Sequence, residues 1–305
     1  MIKYFSIFLL LIGCSGENPN FNEESAFDYL IKQCDFGPRN PGSKGYYECR
    51  DFIVNELKKS TNEVILQDFI HNSEEKFNLQ NIIARFNPDA SFQTIISCHW
   101  DTRPIADHDL NPNNHDKPII GANDGASGVA VLLELAKIMA MKPPLIGVSL
   151  VFFDGEDMGI PGENETYCLG SQYFSKNLPI KNIAEAINLD MVGDKQLQLP
   201  IERYSYQFHP DLVRYLWSRA KEMKLEAFED RLEYAIYDDH VPLNKYANIP
   251  SIDLIDFRYP NTYKNYWHTL DDLPENCSSK SLGQVGRLMV DYIYNRKNQN
   301  WNKLR

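Results

Sequence analysis

Histidines and carboxylates recur in five short segments of this chain, each at or just after a run of apolar residues. The segments span residues 97–101, 121–125, 152–157, 188–193 and 266–269. Together they offer two histidines and at least three carboxylates, a mixed nitrogen and oxygen ligand set that suits zinc with an open coordination position. We therefore expect the five segments to build one metal site.

Two of these segments also hold residues that could orient a ligand or move protons. His99 and Asp101 lie two apart on an extended segment, so they share a face and Asp101 could orient the imidazole. Glu156 and Asp157 are adjacent, so one can bind a metal while the other moves protons. Taken alone, Asp124 is more typical of a helix cap and the acid pair of a solvated loop. The occurrence of all five segments together favours a site.

The elements that must position these segments alternate along the chain. Short apolar runs predict strands over residues 63–69, 81–86, 94–98, 148–153, 184–189 and 251–255. Helical spacing predicts helices over residues 26–33, 45–58, 126–139, 210–223 and 281–294. This alternation predicts an α/β fold, a three-layer sandwich with a central mixed β-sheet flanked by helices. Ligands bind beyond the carboxyl ends of the strands in such sheets, where the five segments would converge.

Composition excludes several classes of protein. The chain has 305 residues, of which 43% are hydrophobic and 24% charged, as in globular proteins. The net charge is -11 and the pI is near 5.1, so the chain lacks the excess of basic residues that binding to phosphates requires. We therefore expect no nucleic-acid partner. The G-x-S-x-G, H-E-x-x-H and P-loop motifs are absent from the sequence.

The first residues indicate export. Lys3 precedes an apolar run over residues 4–12, which is too short to span a bilayer but has the length of a signal-peptide core. The run ends in Leu-Ile-Gly-Cys at Cys14, which resembles the bacterial lipobox. We predict a signal peptide over residues 1–13, a tether over 14–22 and one catalytic domain over 23–305. The product would be an exported bacterial lipoprotein, anchored by lipid on Cys14 at the periplasmic or cell-surface side of a membrane. An ordinary secretory signal is the alternative.

Five further cysteines lie in the body of the chain, at Cys34, Cys49, Cys98, Cys168 and Cys277. Their wide spacings, without a C-x-x-C pair, speak against a zinc site built from cysteines. Cys98 lies in an apolar run, which predicts a buried and inert thiol. Which of the five could form disulfides stays open.

The order of the five segments resembles the M28 zinc metallopeptidase clan from about residue 37 to the C-terminus. Further stretches are similar to the glutaminyl cyclases within that clan: Gly-Pro-Arg at 37–39, Asp-Asp-His-Val-Pro at 238–242, and Trp-His-Thr-Leu-Asp-Asp at 267–272. The stretch over residues 167–173 is similar to bacterial members of that group. The resemblance implies conversion of N-terminal glutamine, in peptides or proteins, to pyroglutamate with release of ammonia.

The same resemblance implies roles for individual residues. It makes Asp124, Asp157 and His268 the ligands of one zinc ion per chain. The implied catalytic and substrate-binding residues are Glu156 as general acid/base, Asp190 and Asp239 as a carboxylate network beside the metal, and Trp267 as a pocket wall. Asp157 stands where animal cyclases have glutamate, and their tryptophan shortly after the acid pair has no counterpart over residues 158–163.

Two other functions fit the same residues. In an M28 aminopeptidase, Glu156 would activate a metal-bound water, and His99 with Asp190 could hold a second zinc. A non-catalytic peptide-binding lipoprotein with this fold is the third alternative. The presence of every ligand type together with Glu156 speaks against it.

Overall fold

The computed structural model describes residues 18–72 and 76–296 of the chain. Its α-helices are α1 (Glu23–Cys34), α2 (Lys44–Ser60), α3 (Ala126–Met141), α4 (Leu169–Lys176), α5 (Arg203–Phe208), α6 (Pro210–Glu222), α7 (His240–Ala247) and α8 (Ser279–Asn295). Its strands are β1 (Val64–Asn72), β2 (Lys76–Phe86), β3 (Gln93–His99), β4 (Gly147–Phe153), β5 (Ile183–Asp190), β6 (Leu199–Ile201), β7 (Phe228–Leu232), β8 (Ser251–Ile255), β9 (Pro260–Asn261) and β10 (Lys264–Asn265). Short 3-10 turns follow β4 at Glu156–Met158 and precede α8 at Pro274–Asn276.

Six strands form the central sheet, in the order β1-β2-β4-β3-β5-β8. The first two pairings are antiparallel and the other three are parallel, so the sheet is mixed. The four parallel strands therefore end at the same edge. From β3 the chain passes to β4 on one side, while β5 lies on the other, and this is the kind of switch point at which ligands bind.

Both faces of the sheet are buried, which explains the apolar runs in its strands. In β3, Ile96 and Cys98 face one helical layer and Ile95 faces the other. The larger layer contains α1, α2, α3, α6 and α8; the smaller one contains α4 and α7. The predicted three-layer α/β sandwich with a mixed sheet is confirmed.

All eleven predicted helices and strands are present, with ends that differ by up to five residues. The structure adds α4, α5 and α7, which are 6 to 8 residues long. These helices are too short to show a clear helical period in sequence, and their packing against the sheet stabilises them instead.

The N-terminal predictions lie largely outside the described residues. The signal peptide over residues 1–13 and Cys14 are not described, so they stay predictions, as does the single catalytic domain over 23–305. Among the described residues, no helix has the length and apolar character needed to span a membrane. The five body cysteines are all free thiols, and burial raises the pKa of the Cys98 thiol well above its usual value.

Helix α3 packs so closely on the sheet that one of its positions requires glycine. A Cβ atom on Gly128 would lie 2.5 Å from the carbonyl oxygen of Leu189 and 2.6 Å from the Cβ of Cys98. Both contacts are on strands that carry site residues, at their carboxyl ends. The close spacing between α3 and the sheet therefore depends on the absence of a side chain at Gly128.

We expect Gly128→Ala to lower the free energy of unfolding by about 1–3 kcal/mol, because the added methyl overpacks against backbone. An ordinary helical Gly→Ala change raises stability by about 1 kcal/mol. Overpacking and helix propensity therefore predict changes of opposite sign. Urea denaturation of both proteins measures the difference. An increase in stability would show that α3 does not approach the sheet this closely.

Candidate active site

The strand ends bring the five predicted segments together. His99 ends β3, Asp190 ends β5, and Glu156 with Asp157 forms the turn that follows β4. Asp124 precedes α3, and His268 lies in the loop between β10 and the turn before α8. Four of these side chains, those of His99, Asp124, Asp157 and His268, are at least 97% buried.

Asp124 lies at the centre of two candidate metal clusters. Its Oδ1 is 3.0 Å from Nε2 of His99, and its Oδ2 is 3.7 Å from Nε2 of His268. The first cluster consists of Asp124, His268 and Asp157, whose Oδ1 is 3.0 Å from Nε2 of His268. The second cluster consists of Asp124, His99 and Asp190, whose Oδ1 is 3.2 Å from Nε2 of His99. The two ligand sets named from sequence thus share one carboxylate.

Two buried carboxylates hold the loops that carry these residues. Asp101 accepts the backbone N–H of Glu156 at 3.1 Å and that of Asp157 at 3.2 Å. Its Oδ1 is also 3.6 Å from Nδ1 of His99, close to the orienting position predicted from sequence. Asp272 accepts the backbone N–H of Asn123 and of Asp124. Hydrogen bonds to the main chain therefore position both the acid pair and Asp124.

Close packing and backbone conformation explain two glycines at the site, and one histidine there has an unusual backbone. A Cβ on Gly125 would lie 2.6 Å from the His99 ring, so only glycine fits between Asp124 and α3. Gly155 has φ of +68°, the left-handed conformation that turns the chain from β4 toward Glu156. His268 also holds a left-handed backbone, with φ of +55°, which is uncommon outside glycine and clusters at functional sites.

The donor set of the first cluster fits a zinc ion. Within the described part of the chain, Oδ2 of Asp124 and Oδ2 of Asp157 are buried without a hydrogen-bond donor. Burial and the charge of Asp157 raise the pKa of Asp124 to about 7. Burial opposes ionisation of Asp157, but His268 outweighs it and holds that pKa at about 2. A divalent cation would offset the repulsion between these carboxylates and use their free lone pairs.

Glu156 lies beside the cluster in the environment of a proton-transfer group. Burial raises its pKa well above the usual value, and the charges of Asp157, Asp238 and Asp239 add to the rise. The Sγ of Cys168 donates to its Oε1 at 3.2 Å, and the backbone N–H of Cys168 donates to its carbonyl at 3.0 Å. A carboxyl group with a raised pKa can take up a proton as the carboxylate and return it from the protonated form.

The adjacent carboxylates Asp238 and Asp239, just before α7, have different surroundings. Asp238 lines the cavity with Glu156, and its Oδ2 accepts a hydrogen bond from Asn188 at 3.2 Å. Asp239, the member named from sequence, is fully buried behind it, and burial raises its pKa well above the usual value. Asp190 faces the cavity as well, and burial raises its pKa too. Carboxylates near Glu156 thus come from both β5 and the start of α7.

A cavity of about 370 Å³ opens at this edge of the sheet. Trp267 forms part of its wall and stacks on the ring of His268, with centroids 3.8 Å apart. Phe257 and His108 flank Trp267, at centroid distances of 4.9 and 4.4 Å. Tyr167, further along the chain than residues 158–163, where the expected tryptophan has no counterpart, also lines the cavity. The lining of the cavity thus combines aromatic rings with carboxylates.

Sequence reasoning missed three polar residues that contact the site. Asp238 was quoted only within its motif, Arg103 only follows the His-x-Asp segment, and Asp107 lies in a polar loop. The i, i+4 spacing of Arg103 and Asp107 was the available signal for that ion pair, whose Nη2–Oδ2 distance is 2.7 Å. Nothing local indicated that Oδ1 of Asp107 lies 3.3 Å from Nδ1 of His268.

The buried mixed sheet and the cluster around Asp124 define a metal-dependent α/β enzyme. The profile of peptidase family M28 matches residues 81–293. The chain belongs to this zinc-dependent family.

Solved structures and curated relatives show which members of the family this chain is similar to. A Bacteroides thetaiotaomicron glutaminyl cyclase bound to N-acetylhistamine is 36% identical, with a TM-score of 0.88, over 92% of this chain and 100% of that one. A leucine aminopeptidase precursor from the same organism is also 36% identical, with a TM-score of 0.88, over 92% and 99%. The glutaminyl-peptide cyclotransferase of Boiga irregularis is 23% identical over 295 residues, covering 84% of this chain and 76% of that protein. The predicted relationship to glutaminyl cyclases is confirmed.

Proposed function

We propose that the chain is a zinc-dependent glutaminyl-peptide cyclotransferase, which converts N-terminal glutamine of peptides or proteins to pyroglutamate. The observation that carries this proposal is the cavity of about 370 Å³ at the strand ends, which is lined by Trp267, Glu156 and Asp238. Similarity to glutaminyl cyclases over nearly the whole chain supports it. In the reaction the free α-amine attacks its own γ-carbonyl carbon, a C–N bond forms, the γ-amide C–N bond breaks, and ammonia leaves.

Zinc would be held by Asp124, Asp157 and His268, which converge within ligand range. There it would act as a Lewis acid toward the γ-carbonyl. We propose one ion per chain, because cyclisation uses no attacking water that a second metal would have to activate. In this assignment His99 is a hydrogen-bond partner of Asp124 and Asp190.

Glu156 would take the proton of the attacking amine and deliver it to the departing nitrogen. The bond from Cys168 engages Oε1, which leaves Oε2 for this transfer. Asp190 and Asp239, together with Asp238, would form the carboxylate network that keeps the pKa of Glu156 high and attracts the substrate ammonium. Their charges lie within the protein, where water screens them weakly.

Trp267 would supply the apolar wall for the two methylenes of the glutamine side chain. Its ring is held between Phe257 and His108, so the wall is already formed without substrate. Such a wall also excludes water, which would otherwise compete as a nucleophile.

We also propose that the protein is exported and anchored by lipid on Cys14. The support is the basic residue, apolar run and lipobox-like sequence at the N-terminus. Labelled palmitate should enter the full chain in a bacterial host and should not enter Cys14→Ser.

The product of the reaction separates a cyclase from an aminopeptidase. Incubation with a glutamine-initiated peptide should produce a loss of about 17 daltons, one ammonia, with every residue retained. Mass spectrometry of the peptide, with ammonia release followed in parallel, measures this. Removal of whole N-terminal residues would establish the aminopeptidase instead.

Replacing Glu156 with glutamine removes the proton carrier but keeps its size. We expect kcat to fall by about 10²- to 10⁴-fold while zinc content per chain stays unchanged. Steady-state kinetics and metal analysis of the same preparation provide the two readouts. Loss of zinc in Glu156→Gln would show that Glu156, rather than Asp157, is the metal ligand.

The two histidines test the number of zinc ions. His268→Ala should lose zinc and activity together, whereas His99→Ala should retain one zinc per chain. Elemental analysis after dialysis against a weak chelator measures both. Two tightly held ions in the parent, with one lost in His99→Ala, would contradict the single-zinc assignment.

A further inference from the structure

Arg103 is a buried arginine that contacts the site only from behind. Its side chain is 1% exposed and does not line the cavity. Nη1 donates to the carbonyl oxygens of Asp157 and Gly159, at 2.8 and 2.6 Å. Nε and Nη2 donate to the two carboxylate oxygens of Asp107, at 3.3 and 2.7 Å. One rigid guanidinium thus joins the turn after β4 to the loop after β3.

Asp107 continues this connection to the second histidine of the site. Its Oδ1 lies 3.3 Å from Nδ1 of His268, and the backbone N–H of His108 donates to the carbonyl of His268 at 3.2 Å. A carboxylate facing Nδ1 favours a proton on that nitrogen. The lone pair is then on Nε2, the atom that faces Asp157 and Asp124.

The contacts close into a ring. Arg103 holds the main chain of Asp157 and the carboxylate of Asp107, which faces His268, and Nε2 of His268 is 3.0 Å from Oδ1 of Asp157. Asp157 and His268 lie 111 residues apart in sequence. Their relative position therefore depends on the Arg103–Asp107 pair as well as on the sheet.

We propose that Arg103 and Asp107 are positioning residues that set Asp157 and His268 in the geometry required for tight zinc binding. The proposal rests on the ligand set in the proposed function. Neither residue lines the cavity, so both act through the ligands that they hold. An ion pair that only stabilised the loop would affect unfolding without affecting zinc affinity, and this difference makes the two roles separable.

The test measures the zinc dissociation constant by competition with a chromophoric chelator, without substrate. Asp107→Asn keeps the shape of the side chain but removes the charge that faces His268. We expect its dissociation constant to rise by about 10- to 100-fold, the usual cost of losing such a partner. Asp107→Glu restores a carboxylate and should recover part of the affinity. Arg103→Lys cannot donate to both Asp157 and Asp107 in the same fork, so it should weaken binding as well.

Arg219 and Asp291 provide a matched control. They form a similar two-bond pair, with Nε and Nη2 at 2.9 and 2.8 Å from the carboxylate, between α6 and α8. Asp291→Asn should lower stability and leave the zinc dissociation constant unchanged. Equal zinc affinity in Asp107→Asn and the parent would overturn the proposal. An equal loss of affinity in Asp107→Asn and Asp291→Asn would overturn it too, because the effect would then follow general stability.

These outcomes are distinct from failure of the proposed function. A chain with the expected zinc dependence on Asp107 that releases no ammonia would refute the cyclase and support the positioning pair. A chain that releases ammonia and binds zinc equally well in Asp107→Asn would support the cyclase and refute the pair. Full zinc binding in His268→Ala would refute the ligand set and the pair with it.

Discussion

Buried carboxylates that lie close together repel one another, and this constraint organises the site. Taking each charge out of water is costly, and the repulsion is weakly screened inside the protein. The effect appears as raised pKa values at Glu156, Asp190 and Asp239, where burial is the largest cause. The pKa of Asp157 departs from this pattern chiefly because His268 lies 3.0 Å away, and His99 and Arg103 also lower it. Positive charge must therefore come from histidines, Arg103 or a bound cation.

The sheet makes this concentration of charge possible because its parallel strands end at one edge. Strands β3, β4 and β5 deliver His99, the acid pair and Asp190 to that edge without any long loop. Both sheet faces are covered by helices, so polar residues gather at the edge, which the helices leave uncovered. Close approach then fixes the spacing, since a side chain at position 125 would collide with the His99 ring.

The family relationship and the chemistry answer different questions. Membership in family M28 accounts for the fold over residues 81–293. The proposed roles of Asp124 and the acid pair would serve hydrolysis or cyclisation equally well. Trp267, Phe257 and His108 add aromatic rings that contact one another to the lining of the cavity. The fold therefore does not by itself decide the reaction type, which depends on the residues that line the site.

The sequence by itself determined the central elements and the residue types of the site. Runs such as residues 94–98 and 148–153 depend on burial of consecutive side chains, a property that each segment carries in its own composition. Glu156 and Asp157 were recognisable because they are adjacent and follow such a run. Only the tertiary structure decided that Asp124 serves both clusters, that Asp238 rather than Asp239 lines the cavity, and that Asp107 faces His268. The physical reason is distance along the chain: Asp107 and His268 meet because packing joins two loops that have no local signal in common.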